Sequence, residues 1–268
     1  MEERIMKPTI GLTTCLRPTE DVRHRVKQLL ADEMIHFVYI ARKKKGIEQL
    51  QQETGLPVLV VDKQRLELYP LGEKTSFFFH PSSAVFRIKQ IDAGGGDPLV
   101  TIGRLSEGMR VLDCTLGLGA DAIVMSHAVG ETGQLIGLES RLETAYVVKQ
   151  GLQRWEESYS PINQAMRRIE VRMEHHLAFL KQCPDDSFDV IYFDPMFERT
   201  VSESTHLDPL RTLANYETLS AETIMEAKRV ASQRIVLKAH YESPLFDRFG
   251  FGRTKRKTSK LHYGVIEL

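Results

Sequence analysis

Short apolar segments of four to six residues alternate with longer stretches of helical periodicity along most of the chain. Near the start, Thr9–Thr14 reads as a strand, Glu20–Met34 as an amphipathic helix and His36–Ile40 as a second strand. Gly46–Thr54 predicts another helix, followed by the apolar strand Pro57–Val61 and a hairpin partner, Arg65–Tyr69. The pattern then breaks. Ser76–Ile91 mixes Phe77, Phe78, Phe79 and Phe86 with Arg87 and Lys89, and Gly94, Gly95 and Gly96 follow as a chain breaker. These signals divide the chain into a small N-terminal α/β module (1–75), a connecting hairpin or hinge (76–96) and a larger domain (97–268).

In the larger domain, strand and helix alternate. Arg110–Asp113, Gln134–Glu139, Glu170–Met173, Phe188–Phe193 and Arg234–Lys238 are apolar strand candidates. Helical patterns cover Ala120–Ala128, Leu142–Ser158, His176–Lys181 and Ala221–Ala231. Repeated βα units predict a doubly wound α/β fold with a mostly parallel sheet, and Tyr263–Leu268 an antiparallel edge strand.

Charge and composition narrow the function. The 268 residues carry 36 basic and 36 acidic side chains, which argues against a uniformly basic nucleic-acid coat. Apolar runs such as Phe37–Ala41 stop at about five residues, whereas a membrane span needs about 20. The acidic start Met-Glu-Glu-Arg has no apolar signal core, so a cytoplasmic protein is expected. Cys15, Cys114 and Cys183 are too few and too scattered for a disulfide framework or a zinc site, and no metal is expected.

The candidate chemistry begins at Asp113-Cys114-Thr115-Leu116-Gly117-Leu118-Gly119-Ala120-Asp121, a strand, glycine turn and helix start. Small residues there let a ligand approach free backbone N–H groups. The spacing Gly117-x-Gly119-x-x-Ala122, with Glu139 placed for a ribose, also satisfies a dinucleotide fingerprint. Charge separates the two ligands. Asp113 and Asp121 would repel a pyrophosphate, whereas they would stabilise the sulfonium and ammonium groups of S-adenosylmethionine. The acids therefore favour S-adenosylmethionine, with Glu139 accepting from its ribose hydroxyls. At the next strand end Glu174 or His175 is placed to meet the adenine amino group. The adjacent His175 and His176 lack a partner at helical spacing for a metal.

Asp194-Pro195-Met196-Phe197 follows directly on the strand Phe188–Phe193. It has the shape of the (Asp/Asn)-Pro-Pro-(Tyr/Phe) loop of enzymes that methylate planar amino groups. The Asp194 carboxylate and the Pro195 carbonyl would accept the two N–H bonds of such an amine, pushing electron density onto nitrogen. Phe197 would stack on the base.

Taken with Leu138-Glu139-Ser140, these motifs resemble the bacterial small-subunit ribosomal RNA guanine-(N2) methyltransferases, a family of class I enzymes that use S-adenosylmethionine. In that family Met replaces the second proline, as Met196 does here. Lys238 after Ile235-Val236-Leu237, Arg65-Leu66-Glu67-Leu68 and Gly95-Gly96 are similar too, over roughly Gly46 to the end. The resemblance implies that Ala120, Asp121, Glu139, Ser140, His175, His176 and Asp194 touch the cofactor, with S-adenosylhomocysteine as product. It also implies ribosomal RNA or the small subunit as partner.

Two dense basic clusters stand out, Arg42-Lys43-Lys44-Lys45 and the stretch 253–260 with Arg253, Lys255, Arg256 and Lys257. The first reads as a solvated face; the second, with Lys238, is the expected substrate contact. Phe77–Phe79 and Arg87 read either as a stacking surface or as a buried strand. An unpaired base would be needed to reach such a pocket. The competing readings are a protein or small-molecule methyltransferase and a non-catalytic RNA-binding assembly factor.

Overall fold

A computed structural model describes residues 8–195, 219–254 and 259–268. The chain forms two compact units. Among the described residues the first comprises 8–80 and 142–155, and the second comprises the rest.

The first unit opens with β1 (Thr9–Thr14), α1 (Glu20–Leu30), β2 (His36–Tyr39), α2 (Ile47–Thr54), β3 (Val58–Val61) and β4 (Leu66–Tyr69). Its sheet has the order β2-β1-β3-β4, parallel except for the β3–β4 hairpin. Ile10, Leu12 and all four residues of β3 are buried, as the apolar runs require. Thr19 caps α1, and the helix stops at Leu30, short of the expected Met34. There Asp32 Oδ1 accepts the Met34 N–H at 2.9 Å, so the side chain takes over from the helical bonding pattern.

The second unit begins with α3 (Ser83–Asp92) and α4 (Pro98–Gly103). The segment expected as a hairpin or hinge thus holds a helix, with Ala84 and Ile88 on its buried side. Phe77 and Phe79, assigned to the first unit, are buried rather than offered for stacking. The succession β5 (Arg110–Asp113), α5 (Ala120–Val129) and β6 (Gln134–Leu138) follows. Next comes α6 (Leu142–Arg154), which belongs to the first unit: Tyr146 Oη donates to Asp32 Oδ2 at 2.8 Å, and Gly151 leaves room for Phe79, whose Cγ lies 2.1 Å from where a Cβ would stand.

The chain continues through α7 (Ser160–Arg168), β7 (Ile169–Arg172), α8 (His176–Gln182), β8 (Phe188–Phe193), α9 (Ala221–Val230), β9 (Ala231–His240), α10 (Leu245–Phe249), β10 (Gly252–Thr254) and β11 (Leu261–Glu267). Helix α7 had no counterpart in the sequence reading. Pro161 lies in its first turn, where a missing N–H costs nothing.

The second sheet has the order β10-β11-β9-β8-β5-β6-β7. Strands β5 to β9 are parallel, and β11 runs antiparallel to β9. β11 is not the edge strand that the sequence suggested, because β10 pairs outside it. Leu112, Ile136, Ile191, Ile235 and Leu237 pack with Leu180 of α8, Ile224, Ala227 and Val230 of α9, and Phe246 of α10. The strand order reverses between β5 and β8, so the crevice beyond their carboxyl ends is the place where an open α/β sheet takes a ligand.

Candidate active site

Asp113 ends β5 and Asp194 follows β8, which puts both acids at that reversal. Between β5 and α5 the turn closes with a bond from Gly119 N–H to the Leu116 carbonyl at 2.7 Å. Gly119, at φ 77°, stands in the N-cap position of α5, a backbone that side chains resist. Thr115 Oγ1 accepts the Asp194 N–H at 2.6 Å, strapping the two strand ends together.

Asp121, in the first turn of α5, is the centre of a charge network. Its Oδ1 accepts from Arg87 Nη1 at 2.5 Å; its Oδ2 accepts from Lys238 Nζ at 2.7 Å and from Tyr192 Oη at 2.8 Å. Lys238 also donates to Asp194 Oδ2 at 2.7 Å. Arg87 forks onto Asp97 through Nε at 2.7 Å and Nη2 at 2.9 Å, while Asp97 caps α4 by accepting the Leu99 N–H.

The charges follow from this geometry. Burial opposes ionisation of Asp121, but Lys238 and Arg87 hold its carboxyl well below the usual carboxylate range. Burial raises Asp194, against the pull of Lys238. Burial would strip Lys238 of its proton, but Asp194 and Asp121 keep the ammonium charged. Tyr192 is pushed up by burial and by Asp121, so its hydroxyl stays a donor.

Asp113 has no ion pair of this kind among the described residues. Burial pushes its carboxyl up to about 8, with the Thr115 N–H at 3.0 Å and the charge of Lys238 opposing the rise and Asp121 and Asp194 adding to it. The native state therefore holds a proton that the unfolded chain, with an aspartate pKa of about 3.9, has released. Stability falls as pH rises through that window. Asp113→Asn keeps an oxygen for the Thr115 N–H and cannot ionise. Its melting temperature is expected to exceed that of the wild type by a margin that grows from about pH 5 to about pH 8. Parallel melting curves across that range would show that Asp113 titrates normally.

The remaining sequence candidates flank this centre. Glu139 follows β6; burial raises its carboxyl, while the N–H groups of Arg141, Gly117 and Ser140 oppose the rise. Its Oε1 accepts the Arg141 N–H at 2.9 Å. Past β7, Glu174 accepts from Gln182 at 2.8 Å, and His175 caps α8 through Nδ1. The rings of His175 and His176 lie 4.1 Å apart, and His176 meets Phe193 edge-on. Ala120 begins α5 beside Asp121. Arg253, on exposed β10, donates to the Tyr241 carbonyl at 2.6 Å. Met196, Phe197, Lys255, Arg256 and Lys257 lie outside the described residues.

Sequence reasoning missed the network that binds these acids. Lys238, expected at the substrate, directs its ammonium to Asp121 and Asp194; Arg87, expected on a stacking surface or buried strand, holds Asp121 and Asp97. One signal was available for Arg87: it follows Ala84 by three residues and precedes Ile88, so it borders the apolar side of its helix. Thr115 and Tyr192 gave no separate signal, since their partners are remote in sequence. Among the described residues, no group of three His, Cys, Asp or Glu side chains could hold a metal ion. No helix among them is long and apolar enough to cross a membrane.

Residues 42–260 match the model of the family described as "Putative SAM-dependent methyltransferase". The chain belongs to this family. It is an S-adenosylmethionine-dependent methyltransferase with the class I Rossmann-like fold. YpiP of Bacillus subtilis, described as uncharacterized, is 44% identical over 96% of this chain and 98% of its own. Ribosomal RNA small subunit methyltransferase J of Pseudomonas fluorescens is 25% identical, covering 75% of this chain and 82% of its own. The crystal structure of the SAM-dependent methyltransferase NGO1261 from Neisseria gonorrhoeae superposes with a TM-score of 0.59 at 18% identity, over 96% of this chain and 95% of that one.

The residues of this methyltransferase fit its cofactor. Arg87 and Lys238 are both taken up by Asp97, Asp121 and Asp194, and Asp113 adds a further carboxyl, so the site offers a pyrophosphate no unpaired cation and suits a cationic ligand better. Gly117, at φ 49°, opens the backbone beside Glu139, which is the acid at the end of the second strand of this sheet.

Proposed function

We propose that this methyltransferase acts on an exocyclic amino group, guanine N2, of small-subunit ribosomal RNA. The observation that carries the reading is Asp194: it stands at the strand reversal, its Oδ2 taken by Lys238 and its backbone pinned by Thr115. Among the described residues Asp194 Oδ1 has no hydrogen-bond partner, which leaves it as the acceptor for an amino N–H. The Pro195 carbonyl takes the second N–H, and Phe197 stacks on the base.

When bound, S-adenosylmethionine supplies an electrophilic methyl group on a sulfonium. Around it, Asp113, Gly117, Gly119, Ala120, Asp121, Glu139, Ser140, Glu174, His175 and His176 form the binding surface. Lys238 holds Asp194 in place, and Asp121, fixed by Arg87 and Tyr192, holds Lys238. A guanine amino nitrogen is a poor nucleophile because its lone pair is delocalised into the ring. Two acceptors on its N–H bonds localise that pair and orient it. Arg253, Lys255, Arg256 and Lys257 contact phosphates. The resemblance in the Asp194-Pro195-Met196-Phe197 loop and the relative named ribosomal RNA small subunit methyltransferase J support this acceptor.

Nucleoside analysis of small-subunit RNA from cells lacking the gene is expected to show one N2-methylguanosine fewer per subunit, restored by the wild-type gene. Unchanged nucleoside content would send the reading to a protein or small-molecule acceptor.

A further inference from the structure

The Arg42–Lys45 cluster, which the sequence presents as a solvated face, is a built turn. Lys45 N–H bonds to the Arg42 carbonyl at 2.7 Å, and the two residues between them, Lys43 at φ 40° and Lys44 at φ 65°, both have positive φ. Turns of that form favour Asn-Gly, because other side chains resist the left-handed region. The turn is braced from inside: Arg42 Nε donates to the Lys45 carbonyl at 2.9 Å and Arg42 Nη1 to the Thr14 carbonyl at 3.3 Å. Arg42 and Lys45 are thus half-buried supports, and Lys43 and Lys44 are exposed.

The place matters as much as the shape. β1, β2 and β3 are parallel, so the segments that leave them all emerge at one sheet edge. β1 is flanked by β2 and β3, which makes this edge the strand reversal of the first unit. Exposed Arg17 follows β1, Lys43 and Lys44 follow β2, and exposed Lys63 follows β3. None of these four forms an ion pair among the described residues. Of the acids near this edge, Glu20, Asp21 and Glu48 lie in the first turns of α1 and α2, where they complement the helix ends, and Glu48 pairs with Lys74 at 3.6 Å. Asp62 leaves β3 just before Lys63, and Glu53 pairs with Lys45 and attracts Lys43 as well. Two adjacent exposed lysines at the tip of a braced turn, with Arg17 and Lys63 leaving the same edge, still concentrate positive charge there in a chain of zero formal charge.

We infer that this edge of the first unit is a docking surface for the RNA phosphate backbone, with the Lys43–Lys44 turn as its anchor. The inference rests on the proposed RNA acceptor and adds a contact surface outside the methyl-transfer centre. Phosphate neutralisation gives affinity without base specificity, and it gives affinity that falls with salt.

The test measures binding of protein-free small-subunit RNA across a salt series. It compares wild type with Lys43→Asn/Lys44→Gly, which removes both charges while supplying the residues that such a turn favours. A second variant, Lys43→Glu/Lys44→Glu, reverses the charge. The neutral variant is expected to bind about tenfold more weakly, with a log–log salt slope shallower by about 1.5, and the reversed variant more weakly still. In methyl-transfer assays KM for RNA should rise by a similar factor, with kcat within about twofold of wild type. Equal affinity and slope in all three proteins would overturn the inference, as would wild-type protein that binds anionic lipid vesicles but no RNA. RNA binding that weakens in the variants without any methyl transfer would sustain the surface and refute the proposed acceptor.

Discussion

Asp194→Ala is expected to lower the rate of methyl transfer by about 10²- to 10³-fold, the usual cost of losing one preorganised polar contact at a reacting centre. Affinity for S-adenosylhomocysteine should change far less. Asp121, Glu139 and the glycine turn remain, and Lys238 keeps Asp121 as a partner at 2.7 Å. Asp194→Asn should fall between the two proteins, since it retains an oxygen for the amino N–H but loses the ion pair with Lys238. The comparison separates two roles. If Asp194 mainly held the cofactor, its loss would raise the dissociation constant and leave the rate of bound enzyme unchanged.

Arg87→Met is expected to destabilise the protein by about 3–5 kcal/mol, because it removes the cation shared by two buried carboxylates. The Asp97 and Asp121 side chains are only 4% and 12% exposed, and Arg87 itself 18%, so water cannot replace the guanidinium without opening the site. Denaturant titration measures the loss directly; a melting temperature lower by roughly 10 °C should accompany it. Arg87→Lys keeps the charge but not the fork that reaches both acids, and should recover part of the loss. Adding Asp97→Asn to Arg87→Met should cost less than the sum of the two changes, since the acid left alone is no longer charged. A loss under about 1 kcal/mol for Arg87→Met would place the network among weak, solvent-screened surface pairs.

These two variants touch parts of the site that differed greatly in how visible they were in the sequence. The strands Arg110–Asp113 and Phe188–Phe193 have the bounds their apolar runs predict, and each meets an acid at its carboxyl end. Asp113 and Asp194 could therefore be placed from local pattern alone. Glu139, one residue beyond β6, was legible for the same reason. The network was not. Arg87 reaches Asp121 from 34 residues away, and Lys238 reaches it from 117, so their partners follow only from the completed fold. Lys238 was expected at the substrate, and Arg87 on a stacking surface or a buried strand; the fold sets both among buried acids. The end of α6 at Arg154, short of the expected Ser158, and the separate helix α7 were hidden by polar residues around Pro161. Tyr263–Leu268 looked like an edge because β10, only three residues long and exposed throughout, has no apolar pattern to announce it.

Chemistry and electrostatics converge on one picture. Acids gathered at the β5–β8 reversal suit a cationic cofactor, and two internal cations set which of those acids stay ionised. In the proposed reaction Asp194 is the group that meets the amine.

The central claim is that this site transfers methyl groups to RNA through Asp194. Its most direct test is transfer of labelled methyl from S-adenosylmethionine to small subunits, and to RNA stripped from them, both from cells lacking the gene. Wild-type enzyme is expected to place label in the RNA, recovered as N2-methylguanosine, and Asp194→Ala enzyme to place almost none. Label that resists ribonuclease, or that enters RNA equally with the Asp194→Ala enzyme, would contradict the account.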